Sequence, residues 1–195
     1  DVVTANKALL AEHGPEIFDR ARELGRSIAF DACVAGGIPI ITNIGQCFSA
    51  NQIKSLQGIL NGTTNFIVSQ MDEQGASYAD ALKEAQRLGY AEADPTMDVS
   101  GADAAQKLAI LAHLAFGARV HWNEIPCEGI EKLDAADIRY ARELGYRPNY
   151  IAVSLRSRRT NSIGVLVPEV SDPWAAEIVS GIESHLLAND YTYLL

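Results

Sequence analysis

GYAEADPTMDVSGADAAQKLAIL, residues 89–111, leads a series of ionisable side chains from a polar loop into a strongly apolar segment. From 103 to 116 apolar residues fall on most sides, so the spacing predicts a helix packed deep inside a domain. The polar loop ahead of it, 91–101, brings Glu92, Asp94 and Asp98 toward Asp103 and Lys107. Asp103 and Lys107 are four apart and share one helical face. By spacing alone they read as a surface ion pair worth about 0.3–0.5 kcal/mol. Their neighbours Leu108, Ile110 and Leu111 argue instead for a partly buried lysine held by a carboxylate. Such a lysine can exchange a proton with a reacting oxygen.

Working outward, residues 1–4 read as the end of a strand and 15–25 as a helix stopped by Gly25, so the chain opens inside an α/β unit. Two strand-like runs, 27–33 and 39–42, flank the Gly36-Gly37 turn, where glycine permits a tight bend. A further strand-like run, 53–60, leads into Asn61-Gly62-Thr63-Thr64-Asn65, which can offer amides and hydroxyls at the mouth of a following helix. Helices are predicted over 77–88, with Ala79, Leu82 and Ala85 on one face and Gly89 as stop, and over 135–144, stopped by Gly145. After Arg147-Pro148-Asn149 the pattern becomes strand 163–167, helix 175–188 and strand 191–195, the opening of a parallel α/β sheet. Two strands do not make a stable sheet by themselves.

The composition, 48% hydrophobic and 21% charged over 195 residues, suits a soluble globular chain of one domain or two small ones. A net charge of -9 excludes a molecule whose main task is holding phosphate backbones. Residues 147–159 are the exception, with Arg147, Arg156, Arg158 and Arg159 and no acid, which by charge alone reads as a solvated linker. Cys33, Cys47 and Cys127 are too few and too far apart for a zinc ribbon or a redox pair, and their odd number fits a reducing, cytoplasmic setting. No apolar run approaches the ~20 residues that cross a bilayer, and the first residues lack signal-peptide character. The expectation is a soluble, non-secreted protein without a membrane partner.

Four strings, VVTANKALLA at 2–11, ACVAGGIPII at 32–41, LQGILNGTTNFI at 56–67 and the opening stretch at 89–111, together resemble homoserine dehydrogenase in order and spacing. The resemblance implies hydride transfer between NADP or NAD and the pair aspartate 4-semialdehyde and homoserine, on the route to threonine and methionine. By this resemblance Lys107 is the general acid/base, and Glu92 and Asp98 bind substrate. Asp103 helps to place substrate and lysine, and Lys7 is a second lysine near nicotinamide and substrate, within a cofactor-binding stretch that includes Thr4 and Asn6. Such roles suit the chemistry, which needs a proton donor at the carbonyl oxygen, a grip on the ammonium and a charge favouring an alkoxide. A sodium-type site is implied at Asp31, Val34, Gly36 and Ile38, where hard cations meet oxygen ligands. The family usually has glutamate where this chain has Asp31, and by itself the segment reads as a plain strand turn.

The implied architecture combines α/β and α+β parts. Residues 1–28 would be the end of a Rossmann-type dinucleotide-binding unit, and 29–146 an α+β catalytic domain with a mixed sheet that also forms a homodimer. The glycine fingerprint G-x-G-x-x-G that admits a pyrophosphate occurs nowhere in the sequence, so little turnover is expected from this polypeptide alone. From Glu143 onward, ELGYRPNYIAVSLRSRRTNSIGVLVPEVSDPWAAEIVSGIE resembles lactose-repressor-family regulators at the junction of hinge and sugar-binding core. On that resemblance, 147–195 is an incomplete parallel α/β piece like a periplasmic binding protein, fused at 141–146. Leu155 matches the leucine that wedges into a minor groove, beside Arg156, Arg158 and Arg159, while Val153 stands where an arginine is common. The helix-turn-helix that reads bases is absent from the sequence, so DNA binding is not expected.

Overall fold

Asn6 starts the first helix: its side-chain oxygen accepts the Leu9 N–H, and α1 follows as Lys7–Glu23. The helix therefore begins at Lys7 rather than near Pro15. Pro15 lies inside it, and His13 leaves helical angles (φ -125, ψ 15), because a ring without an N–H crowds the preceding turn. On either side of α1, Val2–Val3 (β1) and Ile28–Ala29 (β2) pair in parallel, Val2 opposite Ile28. This is a short β-α-β unit, as the opening residues imply.

The computed structural model describes residues 1–145, 162–164, 180–182 and 192–194. By its internal contacts the chain divides into Asp1–Tyr146 and Arg147–Leu195. In the first unit helices dominate: Ile40–Thr42 (α2), Gly62–Gln74 (α3), Tyr78–Arg87 (α4), Thr96–Val99 (α5), Ala102–Phe116 (α6) and Ala135–Glu143 (α7). The ends of α1, α4 and α7 carry the expected glycines, with Gly25, Gly89 and Gly145 all at positive φ. No residue of α6 except Phe116 is exposed, in keeping with its apolar circumference.

The mixed sheet is not formed among the described residues, which corrects three strand expectations. Only Ile28–Ala29 of 27–33 is a strand, followed by a 3-10 turn at Asp31–Cys33. The run 39–42 is helical and continues into a π-helical turn, Asn43–Cys47. Ile41 and Ile44, both buried, are three apart, a helical spacing that a short apolar run does not distinguish from a strand. The run 53–60 has no described ladder partner; Ile53, Leu56 and Leu60 instead rest half-buried on the core.

Two apolar clusters fill this unit. Leu10, Ala11, Phe30, Val34, Ile41 and Ile44 gather around Ile110 and Leu111 of α6. Phe66, Ile67 and Met71 of α3 meet Ala81 and Ala85 of α4, with Val99 and Ile138. In the second unit Ser162–Gly164 (β3) pairs in parallel with Thr192–Leu194 (β4), Ile163 opposite Tyr193, and 180–182 are helical. Arg147, Val153, Leu155, Arg156, Arg158 and Arg159 lie outside the described residues. No described helix is long and apolar enough to cross a membrane.

Candidate functional site

The extended backbone at Asn61 (φ -131, ψ 122) turns into α3, and the Asn61 Oδ1 accepts the Thr64 N–H at 2.8 Å and its hydroxyl at 3.0 Å. That commits the oxygen of the amide and leaves both hydrogens of its NH₂ for other partners. They go to two carboxylates: Asn61 Nδ2 donates to Asp98 Oδ1 at 2.6 Å and to Asp103 Oδ2 at 2.9 Å. Asp98 comes from α5 and Asp103 from the first turn of α6, where the N–H groups of a helix end favour negative charge. The turn between them needs Gly101, whose φ of 88 is left-handed backbone that side-chain-bearing residues rarely adopt.

Asp103 is buried, at 6% exposure, and both of its carboxylate oxygens face donors. Oδ1 accepts from Lys7 Nζ, reaching over from α1, and Oδ2 from Lys107 Nζ at 2.6 Å as well as from Asn61. Lys107 also donates to the Leu60 carbonyl at 2.7 Å. Burial pushes the Asp103 carboxyl up, but the hydrogen bonds from Lys107, Lys7 and Asn61 outweigh it and hold the group below the ordinary carboxylate range. Two ammonium groups, two carboxylates and one amide thus form a charge-balanced cluster, the condition under which buried charge is tolerated. The site is therefore no surface ion pair.

Lys7, Asp98, Asp103 and Lys107 meet here, while Glu92 stands apart. Glu92 is exposed, and its backbone carbonyl accepts from Gln86 Nε2 at 3.2 Å. Its neighbour Asp94 accepts from the Thr96 hydroxyl and N–H, which keeps the carboxyl below its ordinary value. Thr4 Oγ1 accepts the Asn6 N–H at 3.0 Å, so Thr4, Asn6 and Lys7 form the turn from β1 into α1. Asp31 is exposed and its Oδ1 accepts from both the hydroxyl and the N–H of Thr42, at 2.9 and 3.3 Å. Val34 is buried, whereas Gly36 and Ile38 are exposed, and the Ile38 carbonyl accepts the Ile40 N–H at 2.7 Å. Among the described residues no group of three or more His, Cys, Asp or Glu could hold a metal ion.

Asn61 is the residue that sequence reasoning missed. Its place at a helix mouth was legible, but the capping pattern speaks for its oxygen only. The signal was the unspent NH₂ group of an N-cap asparagine; the acids that use it lie 37 and 42 positions away in sequence.

A parallel β-α-β unit joined to a lysine–carboxylate cluster on a buried helix defines an α/β protein whose polar site is equipped to move protons. The family model for homoserine dehydrogenase matches residues 39–185. The chain belongs to the homoserine dehydrogenase family. It is 51% identical over 191 residues to the homoserine dehydrogenase of Pseudomonas aeruginosa, covering 96% of this chain and 43% of that protein. The crystal structure of a homoserine dehydrogenase from Thiobacillus denitrificans superposes with a TM-score of 0.71 at 55% identity, over 74% of this chain and 34% of that one. A hyperthermophilic archaeal homoserine dehydrogenase in complex with NADPH gives a TM-score of 0.61 at 33% identity, over 68% of this chain and 41% of the other. The chain thus spans less than half the length of these relatives. The first two matches in sequence, to the family model and to the P. aeruginosa enzyme, run past 141–146 into residues 147–195.

Proposed function

We propose that this chain carries the catalytic groups of a homoserine dehydrogenase, interconverting L-aspartate 4-semialdehyde and L-homoserine with NADP or NAD. The observation that carries the reading is the cluster in which buried Asp103 holds both Lys107 and Lys7. Lys107 gives a proton to the aldehyde oxygen, or takes one from the hydroxyl, in the reverse direction. Lys7 adds positive charge where an alkoxide develops. Asp103 fixes both ammonium groups, so neither has to be reoriented at the moment of reaction. Asp98 Oδ2, which receives no hydrogen bond among the described residues, takes the substrate ammonium, and Glu92 supplies a second carboxylate from the exposed loop.

The turn of Thr4, Asn6 and Lys7 lies at the carboxyl end of a parallel strand, the place where ligands meet open α/β sheets, and so fits a nicotinamide. When bound, the nicotinamide supplies or accepts the hydride. The sodium site implied by the resemblance would use Asp31, Val34, Gly36 and Ile38, of which Asp31 and Ile38 also accept hydrogen bonds from Thr42 and Ile40, and no step depends on it. Residues 1–28 act as the end of a dinucleotide-binding unit, 29–146 as the catalytic and dimerisation domain, and the setting is cytoplasmic. For 147–195, the repressor-like fusion is supported by its motif string and by the parallel pairing of β3 with β4, while the extent of the homoserine dehydrogenase matches weighs against it. We assign this segment no DNA-binding task.

The test is homoserine-dependent reduction of NADP and NAD by the purified chain, alone and mixed with a separately expressed nucleotide-binding half of a homoserine dehydrogenase. Turnover in the mixture that disappears in Lys107→Ala is expected. Turnover that survives Lys107→Ala, or a folded chain inert in both settings, overturns the assignment.

A further inference from the structure

Asp98 and Asp103 are five residues apart on two different helices, and a substrate held between Asp98 and Lys107 requires that the two carboxylates keep a fixed separation. The side chain joining them is Asn61. One NH₂ group reaches one oxygen of each acid, at 2.6 and 2.9 Å. The orientation of the amide is not free, because its oxygen is pinned by the Thr64 N–H and hydroxyl at the start of α3. A flipped amide would turn an oxygen toward two carboxylates and an NH₂ toward the Thr64 N–H, losing both carboxylate bonds and the cap bond. Asn61 is itself buried, at 6% exposure, so water does not compete readily for its hydrogens.

The neighbouring residue strengthens the case. Leu60 offers its carbonyl to Lys107 Nζ at 2.7 Å. Two consecutive residues at the mouth of α3 therefore grip α6 at two sites one turn apart, the acid at Asp103 and the base at Lys107. The charged groups facing Asp103 are Lys7 from α1 and Lys107 from α6, with Asp98 from α5 reached through Asn61. Asn61 is the neutral member of this set. It satisfies two carboxylates without adding a charge that would have to be balanced.

Resting on the reading of the site as that of a homoserine dehydrogenase, we infer that Asn61 is a positioning residue, an uncharged clamp that keeps Asp98 and Asp103 in register with Lys107. It acts through the two acids and touches no reacting atom.

Two variants separate this role from helix capping. Asn61→Ser and Asn61→Asp both put a good N-cap before α3 but remove the two amide donors. The first readout needs no substrate: carbon-13 NMR titration of the Asp103 carboxyl in the whole chain. Its titration is expected to move up by about half a pH unit or more in Asn61→Ser, and further in Asn61→Asp, where a third carboxylate joins the cluster. The second readout is the mixed assay, in which KM for homoserine rises about tenfold in Asn61→Ser with a smaller fall in kcat, the pattern of a lost ground-state grip. An Asp103 titration unchanged in both variants overturns the inference, whether or not the chain turns over homoserine. Loss of the enzymatic reading alone would show as activity insensitive to Lys107→Ala, with the titration shift intact.

Discussion

Replacing Asp103 with asparagine removes a charge from the buried cluster while keeping the shape of the side chain. Lys7 and Lys107 would then face a neutral amide. Breaking a buried ion pair by removing one partner costs about 3–5 kcal/mol when the remaining charge is fully enclosed. Here the Lys7 and Lys107 side chains retain 26% and 19% of their exposure, so water recovers part of the loss and the lower end applies, about 3 kcal/mol. For a chain of this length each kcal/mol lowers the melting temperature by about 2–4 °C, which puts the expected drop at roughly 6–12 °C. The effect has a direction in pH. Because the folded Asp103 carboxyl lies below its ordinary value, its contribution is complete above the unfolded range near about 3.9 and fades as pH falls through the folded value. Thermal melts by circular dichroism at neutral pH, repeated on stepwise acidification, should show Asp103→Asn well below the parent and the gap closing in acid. A variant melting within about 2 °C of the parent at neutral pH, or a gap indifferent to acid, would refute the reasoning.

Three further outcomes follow from the packing. Leu111→Ala, in the middle of the first apolar cluster at 2% exposure, should lose about 2–5 kcal/mol, read as a lower urea midpoint with an unchanged slope. Gly129→Ala would place a methyl 2.8 Å from the Val99 carbonyl oxygen and 3.1 Å from Ser100 Cα, so the link between α5 and α6 must shift. A loss of about 1–3 kcal/mol in a denaturant titration is expected from that overpacking. Burial pushes the Cys33 thiol up, with the Lys7 charge only partly opposing it, so a thiol reagent should modify exposed Cys47 and Cys127 first and Cys33 mainly on unfolding.

Much of the helical framework was legible before any coordinates. Glycine stops after α1, α4 and α7 marked their ends, and the apolar circumference of α6 announced its burial. The strand expectations at 39–42 and 53–60 failed for one reason: a short apolar run states that it will be buried, not which backbone will bury it. Ile41 and Ile44 met the core on a helical spacing, and 53–60 could become a strand only with a neighbour to complete its hydrogen bonds. At the site, the Asp103–Lys107 pair could be read from its interval. The reach of Lys7 across 96 positions and the double donation by Asn61 could not, since both depend on how α1, α3 and α6 are brought together.

The burial of α6 has an implication for how this protein can vary. One rod presents Asp103 and Lys107 near its first turn and anchors the main apolar cluster through Ile110 and Leu111 farther along. Drift in the rod would disturb chemistry and folding together, so adjustment toward other substrates is steered away from it. Exposed Glu92, which the proposal assigns to the substrate but which belongs to neither apolar cluster, is where novelty can accumulate without cost to the fold.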